Sequence, residues 1–188
     1  MVRAIMHGCN GHMGQVITGL IKNDESIEIV AGIDKYKGIE NDYPVFDSME
    51  ACTEEADVVI DFSNAAAIDA LLDSCKDKKL PVVLCTTGLS EEQLAKVKET
   101  AKETAVLKSA NMSLGINLLL KLLKEATAVL APAGYDMEIV ERHHNQKLDA
   151  PSGTALALAD SMNEAMENQY HYVYDRSQDR KKRDAKEI

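Results

Sequence analysis

Runs of four to seven mostly apolar residues alternate with segments whose apolar residues recur every three or four positions through roughly the first 110 residues. Val2–His7, Glu28–Asp34, Asp57–Phe62, Pro81–Thr86 and Ala105–Ala110 read as strands, most of them apolar on both faces, as buried parallel strands are. Met13–Lys22, Ala65–Lys76 and Glu91–Lys102 lie between them and read as helices, the last opened by Ser90 as a cap. The βαβαβ alternation predicts an α/β fold on a doubly wound parallel sheet. The segment Gly38–Glu55 breaks the rhythm with Pro44, and reads as a loop with a short helix near Met49–Glu55.

From Ser113 the pattern changes. Leu114–Leu130 is apolar over a wide helical face and ends at Ala131-Pro132-Ala133-Gly134. A strand over Met137–His143, a polar stretch, a helix from Gly153 to about Asn168 and a strand-like run over Tyr170–Tyr174 are predicted to follow. This change divides the chain into residues 1–112, a Rossmann-like domain, and residues 113–188, the opening of a second, α+β domain. The last stretch, Arg176–Ile188, contains Arg180-Lys181-Lys182-Arg183 among Asp179, Asp184 and Glu187, and reads as a solvated surface segment.

Charge narrows the partners. The 188 residues carry 31 acidic and 21 basic side chains, a net charge of −10, which argues against nucleic acid because phosphate backbones need clustered Lys and Arg. No apolar run reaches membrane-spanning length and the N-terminus shows no cleavage-site pattern, so a cytoplasmic address is expected and no membrane partner. Cys9, Cys52, Cys75 and Cys85 lack metal-ligand spacing and read as four thiols, and no metal is expected.

Candidate chemistry begins at Gly8-Cys9-Asn10-Gly11-His12-Met13-Gly14, between the first strand and the first helix. Glycines there allow a tight turn and let a pyrophosphate approach the helix N-terminus; the spacing is GxxGxxG, one residue away from the dinucleotide fingerprint. Asp34 ends the second strand about 20 residues further on, where an acid can accept hydrogen bonds from a ribose, and Lys35 beside it can meet a 2′-phosphate. NADH and NADPH are both compatible with that pair. Cys85-Thr86-Thr87-Gly88 and Ser109-Ala110-Asn111-Met112 end later strands on the ligand side of such a sheet. Asp61-Phe62-Ser63 has a similar position, although Ser63 also reads as a helix cap.

The densest chemistry lies in Glu141–Leu156. His143, His144 and Lys147 place cationic or proton-donating groups close together in an acidic chain, and Pro151-Ser152-Gly153-Thr154 opens a helix whose first N–H groups attract anions. Together they can hold and protonate a small carboxylate. Zinc is disfavoured, since neighbouring histidines on a strand point to opposite faces and no third ligand lies nearby.

These residues resemble the 4-hydroxy-tetrahydrodipicolinate reductases (dihydrodipicolinate reductases) of lysine, or diaminopimelate, biosynthesis. The resemblance covers nearly the whole chain. It rests on the HHxxKxDAPSGTAL segment from His143 and on the GxxGxMG turn, VIDFS, TTG and ANxSxG in order. It implies that Gly8, Cys9, Asn10, Gly11, His12 and Met13 wrap the pyrophosphate, that Asp34 takes the ribose and Lys35 an NADP phosphate, that Thr86, Thr87, Ala110, Asn111 and Met112 line the nicotinamide side, and that Cys85 and Ser109 are also cofactor-binding. By the same resemblance His143 is the general acid/base and Lys147 a second proton donor, with His144, Gly153 and Thr154 holding the substrate. The implied reaction is an oxidoreductase step: hydride from NADH or NADPH reduces 4-hydroxy-tetrahydrodipicolinate to tetrahydrodipicolinate and water. His12 stands where the family usually has Arg, Met112 where it has Phe, and Cys85 where Gly is common. The family's second domain is a substrate-binding and oligomerisation domain, a homotetramer is expected for its full-length members, and here that domain is expected to be incomplete. A catalytically inactive NAD(P)-binding fragment and another amino-acid-pathway Rossmann oxidoreductase are the alternatives.

Overall fold

The computed structural model describes residues 1–109, 111–145, 147 and 149–188. The chain divides into two compact units, Met1–Ala110 and Asn111–Ile188.

The first unit is built on β1 (Val2–His7), β2 (Ile27–Ile33), β3 (Val45–Phe46), β4 (Val58–Asp61), β5 (Val82–Leu84) and β6 (Val106–Lys108). They form one parallel sheet in the order β3-β2-β1-β4-β5-β6. The doubly wound sheet expected from the alternating pattern is therefore present. Its connections include α1 (His12–Ile21), α2 (Ile68–Asp77) and α3 (Glu91–Thr100), with a 3-10 turn at Ala65–Ala67 leading into α2. Ile5, Val59, Val82 and Leu84 from the sheet are buried in one cluster with Ile68, Leu71, Leu72 and Cys75 of α2 and Val97 of α3. Each large aliphatic side chain so buried stabilises the fold by about 1.5–3 kcal/mol. Ser90 caps α3 in a reciprocal box, its hydroxyl accepting from Gln93 N while Gln93 accepts from Ser90 N.

This order places the site. The chain runs outward from β1 through β2 and β3, then returns to build β4, β5 and β6 on the other side, so the winding reverses between β1 and β4. The carboxyl ends of those two strands therefore border the crevice in which open α/β sheets take ligands.

Two details of this unit differ from the sequence pattern. β3 falls in the segment read as loop: it is a two-residue edge strand, with Gly32 opposite Val45 and Ile33 opposite Phe46, too short to show a period. Pro44 precedes it, where a missing N–H costs nothing, and its carbonyl accepts from Gly32 N at 2.9 Å. The predicted helix at Met49–Glu55 is only a turn. Its polar groups are taken by α2 and the residue after it: Ser74 Oγ donates to Glu50 at 3.1 Å and Lys78 Nζ to the Met49 carbonyl at 2.7 Å. Met49 and Cys52 are buried there.

The second unit contains α4 (Leu114–Leu130) and α5 (Gly153–Ala165), which pack together. Ser161 Oγ donates to the Leu120 carbonyl at 2.8 Å and Lys124 pairs with Glu164 at 2.8 Å. α4 has the predicted bounds, but Thr127 is its one buried residue and Leu114 is 86% exposed, so much of its wide apolar face remains uncovered in this chain.

The predicted strand Met137–His143 is not one. Met137 and Ile139 are half-buried while Glu138 and Val140 are exposed, so the alternation is kept without a hydrogen-bonded partner strand among the described residues. Tyr170–Tyr174 likewise contributes one isolated bridge, His171 with Glu187. The helix read to Asn168 stops at Ala165, because Asn163 turns its side chain onto Tyr170 N and O, at 2.9 and 2.8 Å. Glu167 and Asn168 then take left-handed backbone angles of +57° and +58°. Arg183 is not a solvated side chain: it pairs with Glu138 at 2.5 Å, and it also donates to the carbonyls of Met137 and Glu187. Among the described residues no helix is long and apolar enough to cross a membrane.

Candidate active site

In the first unit, the turn after β1 is shaped by backbone contact. Gly8 has φ +80°, and a Cβ there would come within 2.7 Å of the Phe62 carbonyl oxygen after β4. A Cβ on Gly14 would land on the carbonyls of Gly8 and Cys9, so α1 can press onto the turn only with glycine there. Gly11 is the N-cap of α1, supplies no side-chain hydrogen bond, and no acid occupies the first turn. The helix start at His12 and Met13, both exposed, therefore presents its first N–H groups and positive dipole end without an acceptor side chain from its N-cap or first turn.

Asp34 follows β2 and locks onto this turn: its carboxylate accepts from Asn10 N at 3.0 Å and from Tyr36 N at 2.9 Å. Each oxygen retains a further lone pair for a hydroxyl donor. The Asn10 side chain is spent on structure, donating to the Tyr36 carbonyl and accepting from Asn41 Nδ2 at 2.8 Å. Cys9 is buried, which pushes its thiol up to about 11, helped by the charge of Asp34; it packs and does not react. Gly8, Gly11, Asp34, Lys35, Ser63 and Asn64 line a cavity of about 310 Å³. The glycine cradle, the uncapped helix start and the acid beyond β2 fit the pyrophosphate and ribose of a dinucleotide.

Beneath that cavity lies a network the sequence did not reveal. Asp61, at the end of β4, is fully buried; it faces His7 Nδ1 at 2.6 Å and accepts from Ser63 Oγ and Thr86 Oγ1, each at 2.6 Å. Burial pushes its carboxyl up, but the hydrogen bonds of His7, Ser63 and Thr86 and the His7 charge outweigh it and leave it below the ordinary aspartate value. Ser63 is thus a partner of Asp61, and Asn64 caps the 3-10 turn that leads into α2, its side chain accepting from Ala66 N at 3.1 Å. His7 could have been noticed as the one polar residue closing an otherwise apolar end of β1. Thr86 is buried in the network and Thr87 is exposed beside it. Cys85 is buried, and burial, with Asp61 as the second cause, pushes its thiol up to about 11. Ser109 is half-buried after β6, its N–H donating to the Leu84 carbonyl at 3.1 Å, and Ala110 lies outside the described residues.

The second unit assembles the His-rich segment at the start of α5. Ser152 is buried and caps the helix, its hydroxyl accepting from Ala155 N at 3.1 Å. Glu141, absent from the sequence candidates, bridges to this cap: Oε1 accepts from Ser152 N at 2.9 Å and Oε2 lies 2.8 Å from His143 Nε2. The side chain and N–H of Ser152, then His143, hold the Glu141 carboxyl down at about 2. Its sequence signal was only an acid two positions before a histidine.

Lys147 pairs with Asp149, whose carboxyl that ammonium holds below its usual range. Lys147 N donates to the His144 carbonyl at 3.3 Å. Asn111 belongs to this unit and donates from Nδ2 to Thr154 Oγ1 at 3.1 Å, joining two candidates taken from distant parts of the sequence. Gly153 and Thr154 form the first turn of α5, and Met112 is exposed before α4. The two-faces argument against zinc does not apply, since this segment is no strand. Here the chain offers a histidine held by a carboxylate, an ammonium group and a helix N-terminus, which suit proton transfer to a small anion.

Comparison with known proteins supplies the relationship. Residues 2–112 match the family model described as dihydrodipicolinate reductase, N-terminus, and residues 115–188 the one described as dihydrodipicolinate reductase, C-terminus. The chain is 50% identical over 188 residues to the 4-hydroxy-tetrahydrodipicolinate reductase of Caldanaerobacter subterraneus subsp. tengcongensis, covering all of this chain and 74% of that protein. It is 48% identical over 177 residues to the enzyme of the same name from Clostridium tetani, covering 94% of this chain and 69% of that one. Among solved structures, the dipicolinate-bound dihydrodipicolinate reductase of Paenisporosarcina sp. TG-14 superposes with a TM-score of 0.74 at 29% identity, over 91% of this chain and 69% of that chain. With both halves matched and half of its residues shared with a curated reductase, the chain belongs to the dihydrodipicolinate reductase family.

Proposed function

We propose that the chain catalyses the reduction of 4-hydroxy-tetrahydrodipicolinate to tetrahydrodipicolinate and water in lysine biosynthesis, with NADH or NADPH as cofactor. The observation that carries this reading is the His143–Glu141 pair set against the start of α5, with Lys147, paired to Asp149, four positions after the histidine. Gly8, Gly11 and the first N–H groups of α1 hold the pyrophosphate; Asp34 accepts from the ribose. Lys35 faces a 2′-phosphate where one is present. The bound nicotinamide supplies the hydride. The N–H groups of Gly153 and Thr154, with Lys147 and His144, hold the carboxylates of the substrate. The hydroxyl of the substrate leaves with a hydrogen of the adjacent carbon as water, which gives a conjugated imine. Hydride then adds to the former carbinol carbon, and His143 gives a proton to its neighbour, a role an imidazole fills near neutral pH.

The test is loss of nicotinamide absorbance when the purified chain meets freshly generated 4-hydroxy-tetrahydrodipicolinate. Turnover that falls by about 100-fold or more in His143→Ala is expected. Equal turnover by His143→Ala, or NADH binding without any reduction, would overturn the reading in favour of a nucleotide-binding module.

A further inference from the structure

We infer that Glu141 is the positioning residue of the reaction: its carboxylate keeps a proton on Nε2 of His143, so that Nδ1 is the nitrogen that gives and takes the catalytic proton. The inference rests on the reading of His143 as the acid/base.

The argument starts from what a carboxylate can do. An ionised carboxylate only accepts hydrogen bonds. Oε1 of Glu141 accepts from Ser152 N at 2.9 Å, and Oε2 stands 2.8 Å from His143 Nε2. The short Nε2 contact therefore requires a proton on Nε2, in the neutral ring as in the charged one. Glu141 is ionised near neutral pH, since the hydrogen bonds of Ser152 and then His143 hold its carboxyl down at about 2.

The pair is also anchored. Ser152 is buried and caps α5, so Glu141 is tied through one peptide N–H to the helix start that receives the substrate's carboxylates. A side chain two residues before the histidine thereby fixes the ring with respect to the anion site, as a third group does for the base of a hydrolytic triad. Glu141 is the carboxylate that meets the ring; Arg142 and His144 flank His143 in sequence, Lys147 pairs with Asp149 further along, and the Ser152 N–H before α5 binds the other oxygen of Glu141. When imidazolium passes its Nδ1 proton to the substrate carbon, it becomes neutral imidazole still protonated at Nε2, and Glu141 remains a carboxylate throughout.

Glutamine at 141 separates this from a merely structural role. Its one carbonyl oxygen must accept from Ser152 N, which turns the NH2 group toward His143 and favours a lone pair on Nε2. Nitrogen chemical shifts of the 15N-histidine-labelled chain, with His143 assigned by its loss in His143→Ala, report the tautomer at a pH where the ring is neutral. The wild-type chain is expected to show Nε2–H and Glu141→Gln Nδ1–H. Turnover by Glu141→Gln is expected to fall at least about tenfold in kcat, with the substrate KM within about twofold. Nδ1–H in the wild type, or an unchanged tautomer and kcat in Glu141→Gln, would overturn the inference. If Glu141→Gln does not fold, Glu141→Asp decides: retained Nε2–H supports the pairing and Nδ1–H overturns it. Failure of the underlying reading is a different result, unchanged turnover in His143→Ala, and it leaves the tautomer of the wild type as measured.

Discussion

His7 and Asp61 stand directly opposite each other in the parallel ladder between β1 and β4, and their side chains meet at 2.6 Å where the sheet reverses its winding. One carboxylate thereby joins three strand ends, through His7 on β1, its own position on β4 and Thr86 after β5. The glycine turn begins at the residue after His7, so this network is the floor on which the proposed dinucleotide site rests.

Replacing Asp61 by Asn should therefore destabilise the first unit by about 3 kcal/mol at neutral pH, the order expected when one member of a buried charged network is removed. The sign of its pH dependence follows from its lowered folded-state pKa. The unfolded aspartate titrates near 3.9, so the contribution is complete above that value and is lost as pH falls from there through the lower folded-state value. Urea unfolding of both proteins at several pH values checks this. The gap between them should narrow as pH falls below about 4; a gap that widens in acid would contradict the assignment.

Gly14→Ala tests the cradle itself. The added methyl would meet the Gly8 carbonyl and come within 2.6 Å of the Cys9 carbonyl oxygen, and both obstacles are backbone. The turn must open to admit it, at a cost of about 1–3 kcal/mol. Fluorescence titration with NADH should show binding weakened by about tenfold or more, the equivalent of about 1.4 kcal/mol. Gly19→Ala is the control, because nothing lies within 4 Å of a Cβ there.

Much of this arrangement was legible in advance, and the reasons are local. The Ser90 cap with Gln93 three positions on, the limits of α4 after Ser113, and the glycine turn all declare themselves within a few residues, because capping and tight turns are short-range physics. The His143–Thr154 segment was conspicuous because its residues adjoin in sequence. What stayed hidden depends on pairing at a distance. β3 is a strand only because β2 lies beside it, whereas Met137–His143 alternates in burial but has no partner strand among the described residues. His7, Asp61 and Thr86 carry no period, and Glu141 acquires its meaning from Ser152, eleven positions away.

Ser152 should show that link in a stability measurement. Its hydroxyl caps α5 and the residue is buried, so Ser152→Ala should lower stability by about 1 kcal/mol, with Ser152→Gly costing less at the cap itself. The Ala variant keeps the N–H that Glu141 accepts from, so thermal melting should shift while the His143 tautomer stays as in the wild type. A wild-type melting curve would mean that the cap carries no load.

Cofactor choice gives the last prediction. Lys35 is exposed and lines the same cavity as Asp34, while Lys37, two positions on, pairs with Asp47 at 2.8 Å. In the proposed function Lys35 is the cation set against a 2′-phosphate, and His12, the first residue of α1, is the other candidate. An exposed ion pair is worth at most about 1 kcal/mol, or about fivefold in affinity. Lys35→Ala should therefore weaken NADPH binding by about three- to fivefold and leave NADH within about twofold, and added salt should shrink the difference because the contact is solvent-exposed. Asp34→Ala should do the opposite. It removes the proposed ribose acceptor and the bonds to Asn10 N and Tyr36 N, so NADH binding should suffer more than NADPH, for which the proposal keeps a contact with Lys35. Parallel titrations with the two nucleotides measure both effects. An equal loss for both in Lys35→Ala would place the phosphate elsewhere, with His12→Ala as the next variant to compare.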